Sequence, residues 1–196
     1  MSTLFVIAAV GFGLFALVLP VTRMRVRHGH TGIAVSKTLS QRLVGGGLFG
    51  AITALALFTG AVAIEGPAGL GVVALPHGLG AMGFVVAIGG TVLVVTAQYQ
   101  MGRAWRIGID ETPTDLVSEG LYRYTRNPIY TGAFVFLTGL GLMVPSPILW
   151  GLILFTIVLI ATQVRFEEHH LLGLHGDSYA RYARQVGRFV PGVGRL

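Results

Sequence analysis

YTGAFVFLTGLGLMVPSPILWGLILFTIVLIATQV, residues 130–164, decides the fold. It contains no Asp, Glu, Lys or Arg, and apolar side chains run along it without the alternation of a half-buried strand. Pro145 and Pro147 interrupt it. Proline lacks the N–H that an interior helical position needs, so the pair predicts two helices joined at a tight tip. The stretch reads as a helical hairpin whose two ends emerge on the same side of a membrane. Its first arm is short for a full crossing, which needs roughly 20 apolar residues. Full and partial insertion both fit.

Three further apolar runs precede it, at 4–21, 44–64 and 76–97, while 69–75 is apolar but glycine-rich and reads as loop or an early turn. In the first run the arginines follow the apolar core, at Arg23, Arg25 and Arg27. A cleaved signal peptide has its charges in front, so a retained anchor helix is expected. Composition agrees: 53% of the 196 residues are hydrophobic and 11% charged, against about 25% charged in an ordinary soluble domain. That excludes a soluble globular enzyme and a disordered chain, which needs low hydrophobicity. There is no cysteine, so disulfide and thiolate chemistry are excluded. The expected fold is all-α: a polytopic membrane bundle of about five transmembrane helices with a cytoplasmic, helical C-terminal region. It forms one domain over 1–196, with three N-terminal helices in 1–97 and a second region in 98–196 that holds the hairpin.

Every Lys and Arg falls in three segments. The first loop carries Arg23, Arg25, Arg27, Lys37 and Arg42. The stretch after the third run carries Arg103, Arg106, Arg123 and Arg126. The tail carries Arg165, Arg181, Arg184, Arg188 and Arg195. The alternate loops, 65–75 and 144–147, have none. The positive-inside rule puts the three basic segments in the cytoplasm and the N-terminus outside, with the C-terminus cytoplasmic. The net charge of +6 is thereby a topology signal, and no nucleic-acid partner is expected. The predicted spans hold no charged side chain, and His77 alone is ionisable near one. That argues against an ion-coupled transporter or channel. Gly46 and Gly50, four apart, read as small residues that let helices approach closely.

Residues able to do chemistry sit in two stretches, 98–130 and 165–196. The first balances four arginines against Asp110, Glu111, Asp115 and Glu119. In the second, Arg165 and Glu168 are three apart, neighbours on a helix. Gly173 and Gly176 are expected to end that helix, and Asp177 to cap a new one with Tyr179, Tyr182 and Val186 along one face. Its other face carries Arg181, Arg184 and Arg188, and an interfacial helix touching lipid phosphate would look similar. Glu167-Glu168 is harder to place at an anionic membrane surface unless Arg165, another arginine or a cationic ligand sits against it. The histidines (His28, His30, His77, His169, His170, His175) form no metal-ligand pattern, so no metal is expected.

Leu116-Val117, Gly120, Tyr122, Arg126-Asn127-Pro128, Tyr130 and Gly132 resemble the "LV..G.Y...RHP.Y.G" signature of the isoprenylcysteine carboxyl methyltransferase family and its phospholipid methyltransferase relatives. Glu167-Glu168, Leu171, Gly176, Tyr179, Tyr182, Val186, Arg188 and Pro191 resemble that family's "EE..L....G..Y..Y...V.R..P". The two blocks flank a hydrophobic hairpin in the family order, and the resemblance covers the chain from Gly102 onward. Two positions depart from it. Asn127 stands where the family has His, and keeps hydrogen bonding without proton exchange near neutral pH. The segment 96–100, Thr-Ala-Gln-Tyr-Gln, lacks the arginine of the eukaryotic prenylcysteine enzymes.

The resemblance implies an integral membrane methyltransferase that uses S-adenosylmethionine without a glycine-rich Rossmann site, and a lipophilic small-molecule or lipid acceptor reaching it from the bilayer. By that likeness Glu168, or Glu167, faces the donor's ammonium or sulfonium, and Arg126 its carboxylate. Tyr130, Tyr179 and Tyr182 line the cofactor site with Asn127 and Pro128, and Val117, Gly120 and Tyr122 supply wall contacts. Arg165 holds an anionic acceptor, completing a catalytic set of Arg126, Arg165 and Glu168. Two other readings compete: an NADPH-dependent membrane reductase of the sterol reductase type, whose tail pattern this chain matches less well, and a non-enzymatic membrane protein.

Overall fold

The computed structural model describes residues 1–29, 31, 38–73, 76, 78–106 and 115–196. Lys37, His30, His77, Asp110 and Glu111, named above, lie outside the described residues. The described chain is helical, and its one β contact is an isolated bridge between Thr125 and Gly187. Among the described residues, four helices are long and apolar enough to cross a membrane: α1 (Ser2–Arg27), α2 (Leu39–Glu65), α3, whose regular part is Leu79–Met101, and α5 (Pro147–His175). The shorter apolar α4 (Pro128–Met143) precedes α5, and α6 (Asp177–Gln185) follows it. This is a multi-pass membrane protein.

Helix α1 extends past the apolar run, so Arg23, Arg25 and Arg27 ride on its last turns rather than in a loop. It contains a π-helical turn at Gly13–Val18. Pro20 explains part of this: without an N–H it cannot bond the Ala16 carbonyl in the α-helical manner. Gln98 Nε2 donates to Ala16 O instead, at 2.8 Å, which ties α1 to α3. Thr38 starts α2, its Oγ1 accepting from Gln41 N.

Helices α3 and α4 pack almost backbone to backbone. Gly83 and Gly90 on one, and Gly132 and Gly139 on the other, are each seven apart and so share a face. A Cβ on Gly139 would lie 2.5 Å from Ala87 N, and one on Gly132 would lie 2.8 Å from Val94 Cγ2. Small residues allow this approach. It is not made by Gly46 and Gly50, where an added Cβ would meet nothing within 4 Å. The pattern of small residues was right in kind and misplaced, because spacing on one helix does not reveal which face meets a partner. Phe12 of α1 stacks on Phe136 of α4, with centroids 3.9 Å apart, and Phe5 meets Phe58 of α2 edge-on.

The hairpin tip is at Val144–Ser146, with Pro147 in the first turn of α5. Ser146 Oγ donates to Leu70 O, and Val73 N to Pro145 O, so the 66–73 loop and the tip share one end of the bundle. At the other end, the Arg23 guanidinium lies 4.1 Å from the Tyr99 ring centre. At 1.5 Å per residue, α4 is about 24 Å long and α5 about 44 Å. Helix α5 thus carries Arg165–His175 past the apolar layer. Gly173 does not end it: one interior glycine costs only about 1 kcal/mol, and the break falls at Gly176, where φ is +51°. Asp177 is the first residue of α6 and makes no side-chain cap.

Candidate active site

The non-helical segment Thr125–Asn127, just before α4, meets the end of α5 and the tail after α6. Arg126 N donates to Gly187 O at 2.9 Å, and Thr125 Oγ1 to Arg188 O at 3.0 Å. Both contacts pin the tail beside the start of α4. Pro128 then begins α4, where its missing N–H costs nothing.

Glu168 is the hub. Its Oε1 accepts from Arg126 Nε at 3.0 Å, from Arg126 Nη2 at 3.0 Å and from Asn127 Nδ2 at 3.1 Å. Its Oε2 accepts from Arg188 Nε at 2.9 Å and Nη2 at 2.8 Å. The Arg126 guanidinium, with side-chain exposure of 1%, spends its remaining donors on the carbonyls of Ala183, Val186 and Gly194. All five of its N–H groups are used, so a ligand carboxylate reaches it only by displacing one of them. Of the two carboxylates, Glu168 is therefore the one neutralised, by Arg126 and Arg188. Arg165 is exposed and makes no hydrogen bond or ion pair with a described residue. Asn127 donates to both Glu168 and Arg188 O, duties that need N–H donors and no proton transfer.

Glu167 has different company. Tyr130 Oη donates to its Oε1 at 2.7 Å, and Gln163 Nε2 to the same oxygen at 3.0 Å. Its Oε2 receives no hydrogen bond, and no cation lies within ion-pair distance, among the described residues. Beside this group, Tyr182 Oη donates to Tyr122 O at 2.6 Å, and Tyr122 Oη to Ala97 O at 3.4 Å. Burial pushes the Tyr122 and Tyr179 phenols well above the ordinary tyrosine range, and pushes Tyr182 up to about 12. All three are neutral donors at physiological pH. Tyr179 is 1% exposed and meets Tyr182 edge-on, so it is core.

Val117 and Gly120 line an open groove of about 480 Å³ with Gln100, Leu116, Ser118 and Glu119. Gln100 Oε1 accepts from Leu121 N at 2.7 Å, beneath a turn where Gly120 adopts φ +62°. Tyr122, 4% exposed, anchors the inner end of that turn. The structure thus brings Tyr122, Arg126, Asn127, Pro128, Tyr130, Glu167, Glu168, Tyr179 and Tyr182 to one end of the bundle, with the groove at Val117–Gly120. It leaves Arg165 outside the group. Sequence reasoning missed Gln163, whose i,i+4 spacing from Glu167 was a usable signal, and did not single out Arg188 as a partner of Glu168. Among the described residues there is no group of three or more His, Asp or Glu placed to hold a metal ion.

A phospholipid methyltransferase family model matches residues 79–178, just over half of the chain and inclusive of the groove, Arg126 and Glu168.

The chain belongs to the phospholipid methyltransferase family.

Within it, the chain is 30% identical over 84 residues to a methanethiol S-methyltransferase of Crocosphaera subtropica, covering 43% of this chain and 32% of that protein. It is 33% identical over 117 residues to protein-S-isoprenylcysteine O-methyltransferase B of Arabidopsis thaliana, covering 57% and 58%. The chain thus matches from just under a third to under two thirds of the length of these relatives. A solved structure of the eukaryotic intramembrane Ras methyltransferase ICMT has the same fold, with TM-score 0.56 and 22% identity over 90% of this chain and 61% of that one. For this phospholipid methyltransferase family member, the likeness shows a helical membrane fold.

Proposed function

We propose that this protein is a membrane methyltransferase that moves a methyl group from S-adenosylmethionine to a lipophilic acceptor at the membrane interface. The observation that carries the reading is the junction of the two distant polar segments around Glu167 and Glu168, beside the Val117–Gly120 groove. Family membership and the methyltransferase names of the relatives support it. By the positive-inside rule we place this end in the cytoplasm, with the N-terminus outside. A polar donor enters there from water and an apolar acceptor from the bilayer.

The residues present suit such a donor. When bound, S-adenosylmethionine supplies an electrophilic methyl group on a sulfonium. The groove at Val117, Gly120 and Tyr122 offers backbone and wall contacts to its body. Glu167, with one oxygen uncommitted, offers a carboxylate to its cationic end. Arg126, Asn127, Pro128 and Glu168 hold the two segments in register, and Tyr179 and Tyr182 brace them from behind. Transfer by in-line displacement asks mainly for positioning and exclusion of water. Arg165, exposed on the outer surface of α5, is assigned to lipid phosphate at the interface.

Calorimetric titration of S-adenosylhomocysteine into the detergent-purified protein tests the reading. The intact protein is expected to bind, and Ser118→Trp, which fills the groove from an exposed position, to bind more than tenfold less tightly while melting at the same temperature. Absence of binding by the intact protein at millimolar ligand refutes the proposal.

A further inference from the structure

The stretch 186–196 is not helical, yet its backbone is tied to the protein and to itself. Thr131 Oγ1 donates to Phe189 O at 2.9 Å, and Thr125 Oγ1 and Asn127 Nδ2 donate to Arg188 O. Arg126 Nη2 donates to Gly194 O at 3.0 Å, Arg188 N to Val193 O at 2.8 Å and Leu196 N to Ala183 O at 3.1 Å. Val190-Pro191-Gly192-Val193 is a turn, closed by Val193 N donating to Val190 O at 3.1 Å. Proline in its second place and a glycine at φ +77° in its third are the pattern of a type II turn, which sets the first and fourth residues side by side.

The side chains run the other way. Val190, Val193 and Leu196 are 54%, 64% and 59% exposed. Phe189, next to them in sequence, meets Phe134 of α4 edge-on, with centroids 5.1 Å apart. Phe134 is the seventh residue of α4, so the tail lies along the first two turns of an apolar helix. In water a surface tail needs neither feature: solvent satisfies its backbone, and apolar side chains gain nothing by facing out. In a membrane both are needed, because irregular backbone is tolerated at depth only where the protein satisfies it. Helix α4 calls for such a supplement. Its length of about 24 Å falls short of a hydrocarbon core of about 30 Å, and the tail adds apolar surface beside its start.

Charge points to the same partner. Between Ser178 and Leu196 the chain has four arginines and no acidic residue. Arg188 is spent on Glu168, while Arg181, Arg184 and Arg195 are exposed. Apolar side chains with arginines around them match acyl chains below and phosphates above, because an arginine keeps its stem in apolar surroundings and its head at the polar layer. A second copy of this chain, equally basic here, would be repelled.

We propose that residues 189–196 form a membrane wedge. Val190, Val193 and Leu196 insert into the boundary between headgroups and acyl chains beside α4, and Arg181, Arg184 and Arg195 engage the phosphates of anionic lipid. The inference goes beyond the methyltransferase reading and stands without it. The wedge and the lock at Glu168 are one segment: it brings Arg188 to Glu168 and Gly194 O to Arg126. Lipid that holds the wedge therefore holds the tail against the polar group.

Because the chain has no cysteine, single spin labels report depth. Val190→Cys and Val193→Cys are labelled in the full chain, in nanodiscs of phosphatidylcholine and phosphatidylglycerol. Ser178→Cys, exposed on α6, and Leu57→Cys, exposed on the membrane helix α2, are the references for water and lipid. Power saturation compares collisions with oxygen, which concentrates among acyl chains, and with a nickel chelate, which stays in water. Labels at 190 and 193 are expected to collide with nickel about threefold less than the label at 178, and with oxygen more, as for side chains buried about 5–10 Å into the interface. Adding Val193→Asp is expected to return the label at 190 to nickel. Labels at 190 and 193 as open to nickel as the label at 178 overturn the proposal. So does a label at 190 that Val193→Asp leaves unchanged. Shielding from both reagents, the mark of a covering protein or a second copy, overturns it too.

Discussion

Replacing Arg126 by alanine removes the one side chain that joins four separate pieces of this structure. Its guanidinium serves Glu168 and the carbonyls of Ala183, Val186 and Gly194. Removing one partner of a buried ion pair costs about 3–5 kcal/mol, because the other charge is left uncompensated. Glu168 keeps Arg188, which pulls the figure toward the lower end. The stranded carbonyls push it back, since a buried acceptor without a donor costs about 1–3 kcal/mol. About 4 kcal/mol is the expected loss. For a chain of this size, each kcal/mol lowers the melting temperature by about 2–4 °C, so Arg126→Ala should melt about 8–16 °C lower. Arg126→Lys keeps the charge but has three donors for four acceptors. It should lose about 2 kcal/mol, or about 4–8 °C.

Thermal unfolding in one detergent, followed by tryptophan fluorescence, gives both numbers. A double-mutant cycle with Glu168→Gln then isolates the pair. If the two side chains act on each other, the double variant loses at least about 1 kcal/mol less than the sum of the singles. An alanine variant melting within 2 °C of the parent, or strictly additive losses, would refute the claim that this pair locks the tail to the hairpin.

Three further outcomes are expected. Gly139→Leu, whose new Cβ would sit 2.5 Å from Ala87 N, should prevent α3 and α4 from packing and abolish a cooperative melt, while Gly46→Ala should change the melting temperature by under 2 °C. Asn127→Asp replaces a donor 3.1 Å from Glu168 Oε1 with a second carboxylate; it should cost about 2 kcal/mol at pH 8, with the gap from wild type closing as the pH is lowered toward 5 in melting experiments. Because the Tyr182 phenol is raised from 10.0 to about 12 on folding, its contribution is fully present below pH 10 and is lost as the pH rises through 12. Tyr182→Phe should flatten that alkaline part of the melting-temperature profile.

The hairpin was legible because proline acts locally. Pro145 and Pro147 remove backbone donors wherever they stand, so the tip could be placed from sequence. The far end of α5 was not legible. Gly173 is a weak breaker, and its spacing from Gly176 does not say at which of the two the helix stops. The same holds for the contact glycines. Gly83, Gly90, Gly132 and Gly139 differ from Gly46 and Gly50 only in what faces them, and that is a tertiary fact.

The site divides along the same line. The family resemblance brought Arg126, Glu167 and Glu168 to notice as a set, but a motif does not say which carboxylate is spent on structure. Only the geometry separates them: Glu168 is enclosed by two guanidiniums and an amide, whereas Glu167 keeps an oxygen without a donor among the described residues. Asn127 follows from this division. Next to a carboxylate whose work is to hold two arginines, the position needs a donor that never becomes a charge, and an amide meets that need at every pH. A histidine there would add a proton that titrates near neutrality, coupling the lock between tail and hairpin to pH.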